Sequence, residues 1–80
     1  MLDRKPITLR QMQPGQSAKV VRVQGGHGMV NRLSALGIRP GKRITKISSM
    51  LMRGPVTIQS GQTQLAIGFG MAGRIIVEPD

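Results

Sequence analysis

Residues 32–41 read RLSALGIRPG, and this stretch decides how the rest of the chain must be arranged. Leu33 and Leu36 are three positions apart, which suits one face of a helix. Gly37 supplies the left-handed residue that ends a helix, and Ile38 can then fold back on Leu33. A second turn follows at once, at Pro40-Gly41. The stretch therefore predicts a helix that stops abruptly and leads directly into a new strand.

Upstream of this stretch, the pattern predicts the rest of the helix and one long strand. The helix covers residues 27–36, with one apolar stripe at spacings of three and four: Met29, Val30, Leu33 and Leu36. Gly25-Gly26 separates it from a valine-rich strand over residues 17–24. Alternation in that strand slips after Val20, as it does at a β-bulge.

Downstream, short apolar segments alternate with turn residues. A second strand is predicted over residues 42–50, with Ile44 and Ile47 pointing inward. Residues 56–60 and 64–67 form a hairpin with Gly61-Gln62 at its tip. The inward positions of this hairpin are Val56, Ile58, Leu65 and Ile67.

The two ends of the chain complete a single small domain over residues 1–80. Residues 7–10 read as a short strand or docking segment before a turn at Pro14-Gly15. Residues 68–73 read as a bend, and residues 74–77 as the last strand. About five short strands with one helical insertion predict a mainly β fold, closed or nearly closed into a barrel. Closure would also remove the exposed edges of an open sheet.

The charge of the chain is strongly positive. Twelve Lys and Arg residues oppose three acids, which gives a net charge of +9. The acids are Asp3, Glu78 and Asp80, so residues 4–77 contain no carboxylate. Such a surface attracts nucleic acid, acidic lipid headgroups or an acidic protein face. The alternative is that the charge only keeps a small protein soluble.

The composition also limits the location of the protein. The chain has no cysteine, which excludes disulfides and thiolate metal sites. Residues 1–6 are not followed by the apolar segment of a secretory signal. No apolar run approaches the ~20 residues that span a bilayer. We therefore expect a soluble, cytoplasmic protein.

The residues needed for catalysis are missing from this sequence. His27 is the only imidazole, and no carboxylate lies near it in sequence to orient it. The serines have no plausible base. The three terminal acids could meet around a metal ion, but solvated chain ends are the simpler interpretation. We expect no enzyme activity, no cofactor and no intrinsic metal site.

Two glycine patterns resemble nucleotide-binding motifs without meeting their requirements. Residues 68–73 fit G-x-G-x-x-G, but a strand follows where the dinucleotide site needs a helix. Residues 37–42 are one position short of a P-loop and lack the Ser or Thr after Lys42. Phe69 is the only aromatic residue, so base stacking and a proline-peptide groove are both disfavoured. Phosphate contacts alone remain open.

Two segments are candidates for a binding surface. The loop before residue 54 is apolar where a loop should be polar, so it either contacts a partner or packs over the end of the barrel. Four cations flank the helix and its turn as a basic rim or an ordinary solvated face: Arg32, Arg39, Lys42 and Arg43. The predicted partner-binding residues are Arg32, Leu36, Arg39, Met50, Leu51, Met52 and Arg53.

Taken together, the pattern resembles the FeoA family, ferrous iron transport protein A. The most specific part is the order and spacing within residues 32–41. Further matching residues are Leu9, Pro14-Gly15, Val20, Gly25-Gly26, Gly54-Pro55-Val56, Ala66-Ile67-Gly68, Met71-Ala72, Ile75 and Val77.

The resemblance implies an SH3-like β-barrel with a helical insertion, and a cytoplasmic accessory protein of bacterial ferrous iron uptake. The implied partner is FeoB, a membrane permease with a cytoplasmic G-protein domain. The family offers no catalytic or iron-binding motif to transfer to this chain. The same barrel forms the C-terminal domain of iron-dependent repressors of the DtxR type, but this chain lacks a DNA-binding helix-turn-helix.

Three other partners stay open at this stage. A small basic barrel that contacts phosphates of nucleic acid is the alternative function. The positive charge is compatible with peripheral contact at the anionic inner face of the cytoplasmic membrane. The apolar loop is compatible with self-association into a homo-oligomer.

Overall fold

A computed structural model describes residues 5–49 and 54–80 of the chain. Within these residues it contains six strands, two α-helices and one 3-10 helix. In chain order they are β1 (Ile7–Thr8), the 3-10 helix (Leu9–Gln11), β2 (Ser17–Val23), α1 (His27–Ala35), β3 (Arg43–Ser49), β4 (Val56–Ser60), β5 (Thr63–Ile67), α2 (Phe69–Ala72) and β6 (Ile75–Pro79).

The strands form one antiparallel sheet in the order β1-β6-β2-β3-β4-β5, with α1 inserted between β2 and β3. The predicted mainly β, SH3-like architecture is confirmed. A sixth strand appears because residues 7 and 8 pair with Val77 and Ile76 of β6. The bend predicted over residues 68–73 contains a single turn of helix, α2.

Most of the predicted inward positions form the core. Ile44, Val56, Ile58 and Ile67 are buried, and Leu65 packs partly buried against them. The register between β2 and β6 shifts between Val20 and Arg22, so the predicted bulge is confirmed. The complete buried set is Leu9, Met12, Ala18, Val20, Leu33, Ile38, Ile44, Val56, Ile58, Ile67, Ala72, Ile75 and Val77.

The prediction that Ile47 points inward is wrong. The register between β3 and β4 shifts between Lys46 and Ser48, so Ile47 is an extra residue at a second bulge and is 38% exposed. Side chains alternate along a strand, and the residue two positions after the buried Ile44 is Lys46. The Lys46 side chain therefore points into the interior, where it is only 2% exposed.

Backbone carbonyls satisfy all the hydrogen-bond donors of the buried Lys46 ammonium. Its Nζ donates to the carbonyl oxygens of Leu9, Arg10 and Met12 at 3.3, 3.2 and 2.5 Å. These carbonyls lie at the end of the 3-10 helix, where helical backbone leaves acceptors unsatisfied, although the Leu9 carbonyl also accepts from Met12 N–H at 3.2 Å. An ammonium has three N–H donors, so three acceptors satisfy it completely. Lys46 thus attaches the N-terminal segment to the middle of the sheet.

We expect Lys46→Met to lower the free energy of unfolding by about 2 kcal/mol, because it removes charge-assisted hydrogen bonds and leaves buried carbonyls unpaired. Denaturant titration followed by far-UV circular dichroism measures this loss. Lys42→Met is the matched control, since Lys42 is exposed, and it should change the free energy by less than about 0.5 kcal/mol. Equal effects of the two substitutions would contradict the role of Lys46.

Burial also lowers the pKa of the Lys46 ammonium below its ordinary value of 10.5. The unfolded chain then binds more protons than the folded one between the folded-state pKa and 10.5, so stability rises with pH in that window. We expect the stability of the wild type relative to Lys46→Met to increase as pH is raised from neutrality toward 10.5. Denaturant titrations of both proteins across this range measure it, and a pH-independent difference would contradict the lowered pKa.

Candidate partner-binding surface

The end of α1 is fixed by two backbone hydrogen bonds. Gly37 N–H donates to the Ser34 carbonyl at 2.9 Å, and Ile38 N–H donates to the Leu33 carbonyl at 2.8 Å. Gly37 has a φ of +91°, in the left-handed region that other residues rarely adopt. This pair of bonds is the Schellman motif, with its usual apolar contact between Ile38 and Leu33. The predicted helix stop is confirmed.

The turn that follows is attached to the sheet. Lys42 N–H donates to the Arg39 carbonyl at 3.0 Å across Pro40 and Gly41. Gly41 has a φ of +94°, as expected after proline in a type II turn. Gly41 N–H donates to the Val20 carbonyl at 2.7 Å, and Val20 N–H donates to the Lys42 carbonyl at 2.8 Å. The helix end and its turn therefore form a rigid support for the side chains they expose.

Three predicted binding residues are exposed on this support: Arg32, Leu36 and Arg39. We call them the helix–turn surface. Leu36 is 47% exposed although it belonged to the predicted apolar stripe, because it caps the helix where the chain reverses. Ile38, returned by the turn, fills the core position instead. Arg32 lies one turn before Leu36, which places them next to each other on the helix.

The other predicted binding residues are Met50, Leu51, Met52 and Arg53, and they lie outside the described residues. Their role therefore stays a prediction. Ile47, on β3, is the second exposed large apolar side chain among the described residues.

The four cations of the predicted basic rim are all exposed, but their charges are not equally free. Arg43 forms a salt bridge with Asp80. Lys19 lies between Arg43 and Glu78 in the register of the sheet. Both described carboxylates thus compensate cations of β2 and β3.

A shallow polar groove adjoins this paired part of the sheet. Its volume is about 470 Å³, and it is lined by Lys42, Arg43, Thr45, Gln59 and Gly61. Arg32, Arg39 and Lys42 have no carboxylate partner within residues 5–49 and 54–80.

Sequence reasoning missed a second positive surface, formed by Arg10, Arg22 and Arg74, which we call the arginine surface. Arg22 lies opposite Ile76 on the outer face of the sheet, and the Arg74 carbonyl accepts from Gln24 N–H at 2.8 Å. Arg22 and Arg74 are therefore diagonal neighbours.

Arg10 joins this surface through α2. Its guanidinium lies 4.1 Å from the centre of the Phe69 ring, which is a cation–π contact. It also lies directly against Gly73, where a side chain would displace it. The pairing of β2 with β6 brings Arg22 and Arg74 together, and the contact of Arg10 with Gly73 places its guanidinium beside the residue that precedes Arg74. No local sequence pattern reveals either of these long-range contacts.

The described residues offer little for metal chemistry or membrane insertion. His27 is exposed at the start of α1. No group of three His, Cys, Asp or Glu residues that could hold a metal ion occurs in the described ranges. Within the same ranges, no helix has both the length and the apolar character needed to cross a membrane.

We expect Gly37→Ala to lower the free energy of unfolding by about 1 kcal/mol, because alanine is strained in left-handed backbone. Gly28→Ala is the matched control: Gly28 is helical, and nothing lies within 4 Å of an added Cβ. It should stabilise the protein by about 0.5 kcal/mol. Thermal unfolding of both variants gives the comparison, and a neutral Gly37→Ala would mean that the helix stop needs no glycine.

Comparison with known proteins agrees with this geometry. The sequence-family model of the FeoA domain matches residues 7–79. Fe(2+) transport protein A of Methanocaldococcus jannaschii is 34% identical over 64 residues, which cover 80% of this chain and 76% of that protein.

Solved structures give the same result. The crystal structure of an iron uptake regulatory protein (FeoA) has a TM-score of 0.85 and 37% identity, covering 95% of this chain and 99% of that one. A manganese-dependent transcriptional repressor reaches a TM-score of 0.87 at 16% identity over 45% of its own length, which shows the shared fold alone. The match over residues 7–79 and the close relatives show that this chain belongs to the FeoA family.

Proposed function

We propose that this protein is a cytoplasmic accessory protein of ferrous iron uptake that docks on the permease FeoB through the helix–turn surface. Membership of the FeoA family supports the link to iron uptake. The observation that carries the docking surface is Leu36, which is 47% exposed on a rigid helix end between two arginines.

The helix–turn surface has the composition of an interface anchor. Binding energy in protein interfaces concentrates in a few apolar and arginine side chains surrounded by a polar rim. Leu36 supplies the apolar centre, and Arg32 and Arg39 supply the rim. The Schellman motif and the Pro40-Gly41 turn hold the backbone in place before binding, so little chain entropy is lost on docking.

The charge of this surface indicates the chemistry of the site on the permease. Arg32 and Arg39 have no acidic neighbour among the described residues. They would fit an acidic rim around an apolar pocket on a cytoplasmic domain of the transporter. Opposite potentials raise the association rate, and the rate should therefore fall as salt is added.

A second candidate function is phosphate binding by the arginine surface, which no described carboxylate compensates. The partner would be the backbone of a nucleic acid. Base stacking does not contribute, because Arg10 covers the ring of the only aromatic residue, Phe69. Such binding would depend on charge alone and would weaken steeply with salt.

Leu36→Ala should weaken binding to full-length FeoB in native-like membranes at least tenfold, which corresponds to about 1.4 kcal/mol. The reason is the loss of the apolar centre of the interface. Arg32→Ala/Arg39→Ala should weaken binding by a similar factor. Biolayer interferometry with the permease in nanodiscs measures both, at low salt and at physiological salt.

Arg22→Ala/Arg74→Ala is the charge-matched control, because it removes the same two charges from the arginine surface. It should leave the affinity for the permease within about twofold of the wild type, since charges outside the interface contribute little to binding. Equal losses from both double variants would show unspecific attraction, and absence of wild-type binding at low salt would reject docking. Retardation of DNA or RNA at about 50 mM salt that Arg22→Ala/Arg74→Ala abolishes would favour the second candidate.

A further inference from the structure

One continuous part of this strongly basic chain carries no charge. Residues 54–73 contain no Asp, Glu, Lys or Arg, although the chain as a whole has a net charge of +9. This segment includes β4, the Gly61-Gln62 turn, β5 and α2. No charged residue thus belongs to β4, to β5 or to the turn that joins them.

That edge is β5, which pairs only with β4. Ser60 lies opposite Thr63 and closes a two-residue turn, so this pair is hydrogen-bonded and the pairs alternate from there. Thr63, Leu65 and Ile67 therefore direct their backbone groups at β4. Gln64 and Ala66 direct theirs away from the sheet, and within the described residues those groups have no hydrogen-bond partner.

Edge strands normally carry features that prevent pairing with another chain, such as a lysine, a proline or a bulge. β5 reads TQLAI and contains no charge and no proline. Its register with β4 is regular over all five pairs. Gln64 and Ala66 are both exposed. The strand is therefore able to accept another strand along its whole length.

We propose that β5 pairs with β5 of a second copy of this chain, antiparallel and centred on Leu65. In this register Gln64 lies opposite Ala66 of the second copy, and Ala66 lies opposite its Gln64. The two pairs form four hydrogen bonds and satisfy every outward backbone group of both strands. The arrangement has two-fold symmetry, as most homodimers do.

The charge distribution is what favours a second copy over an unrelated partner. An acidic partner is attracted to the arginines of the helix–turn surface and the arginine surface, none of which belongs to β5. Two copies that each carry +9 repel one another, so they can approach only where no charge is present. β5 provides such a place, and pairing would also cover Leu65, which is half-buried in the single chain.

An engineered cysteine tests the register directly, because the natural chain has none. Leu65→Cys places two cysteines opposite each other in a non-hydrogen-bonded pair, about 4.5 Å apart at Cα, which suits a disulfide. Thr63→Cys is the matched control, since its two copies would lie about 13 Å apart along the strands. We expect mild oxidation to convert Leu65→Cys to a covalent dimer at least tenfold faster than Thr63→Cys.

Charge variants test the association without any cross-link. Gln64→Lys/Ala66→Lys places like charges opposite each other and should shift sedimentation equilibrium fully to the monomer. Gln64→Glu/Ala66→Lys places opposite charges there and should restore or strengthen the dimer. Both positions are exposed, and the pairing of β5 with β4 uses neither backbone, so the fold is retained. Circular dichroism confirms that retention.

Three outcomes would overturn the proposal. They are a wild-type protein that stays monomeric up to about 1 mM, equal cross-linking of the two cysteine variants, and the same oligomeric state for both charge variants. If the charge variants instead abolish binding to the permease, the edge belongs to the transporter and not to a second copy. The outcome of the Leu36→Ala binding test does not bear on the β5 dimer, because the helix–turn surface and β5 share no residue.

Discussion

The ammonium of Lys46 is the interaction on which the arrangement of the sheet depends. Its Nζ donates to three carbonyls at the end of the 3-10 helix. The Lys46 backbone also holds the turn at Pro14-Gly15, because Lys46 N–H donates to the Gln16 carbonyl at 2.9 Å and the Lys46 carbonyl accepts from Gly15 N–H at 2.7 Å. Without the ammonium, residues 9–12 would have no hydrogen bond to β3 within the described part of the chain. A barrel of this size has a thin core, so one satisfied charge fixes the position of a segment that apolar packing alone would leave loosely placed.

The features that could be predicted are those encoded over a few neighbouring residues. The helix stop at Gly37, the hairpin at Gly61-Gln62 and the bulge after Val20 each follow from local backbone chemistry. The inward lysine agrees with alternation after Ile44, but a charged side chain is rarely buried, so the apolar Ile47 is the expected inward residue. The bulge between Lys46 and Ser48, which leaves Ile47 unpaired, has no local sequence signal.

The two candidate surfaces also differ in whether local sequence could predict them. Arg32, Leu36 and Arg39 belong to one helix and its turn, so their proximity could be inferred from spacing. The arginine surface depends on the pairing of β2 with β6, which joins parts of the chain that are far apart in sequence. Positive charge is thus concentrated on the helix–turn surface and the arginine surface. Around Arg43 it is compensated by carboxylates, and the strand β5 carries no charged residue. This uneven distribution gives a very small protein several distinct surfaces.

The pairing of Ile7 with Val77 has a consequence for how the chain reaches this structure. β3, β4 and β5 are consecutive and can assemble through short connections, whereas β1, β6 and β2 must bring the two ends of the chain together. Loop closure over such distances is slow, so the three consecutive strands should form the folding nucleus and the terminal strands should join last. Until they join, β3 is an open edge of the sheet. A partner that paired with this open edge during synthesis would compete with the addition of the terminal strands.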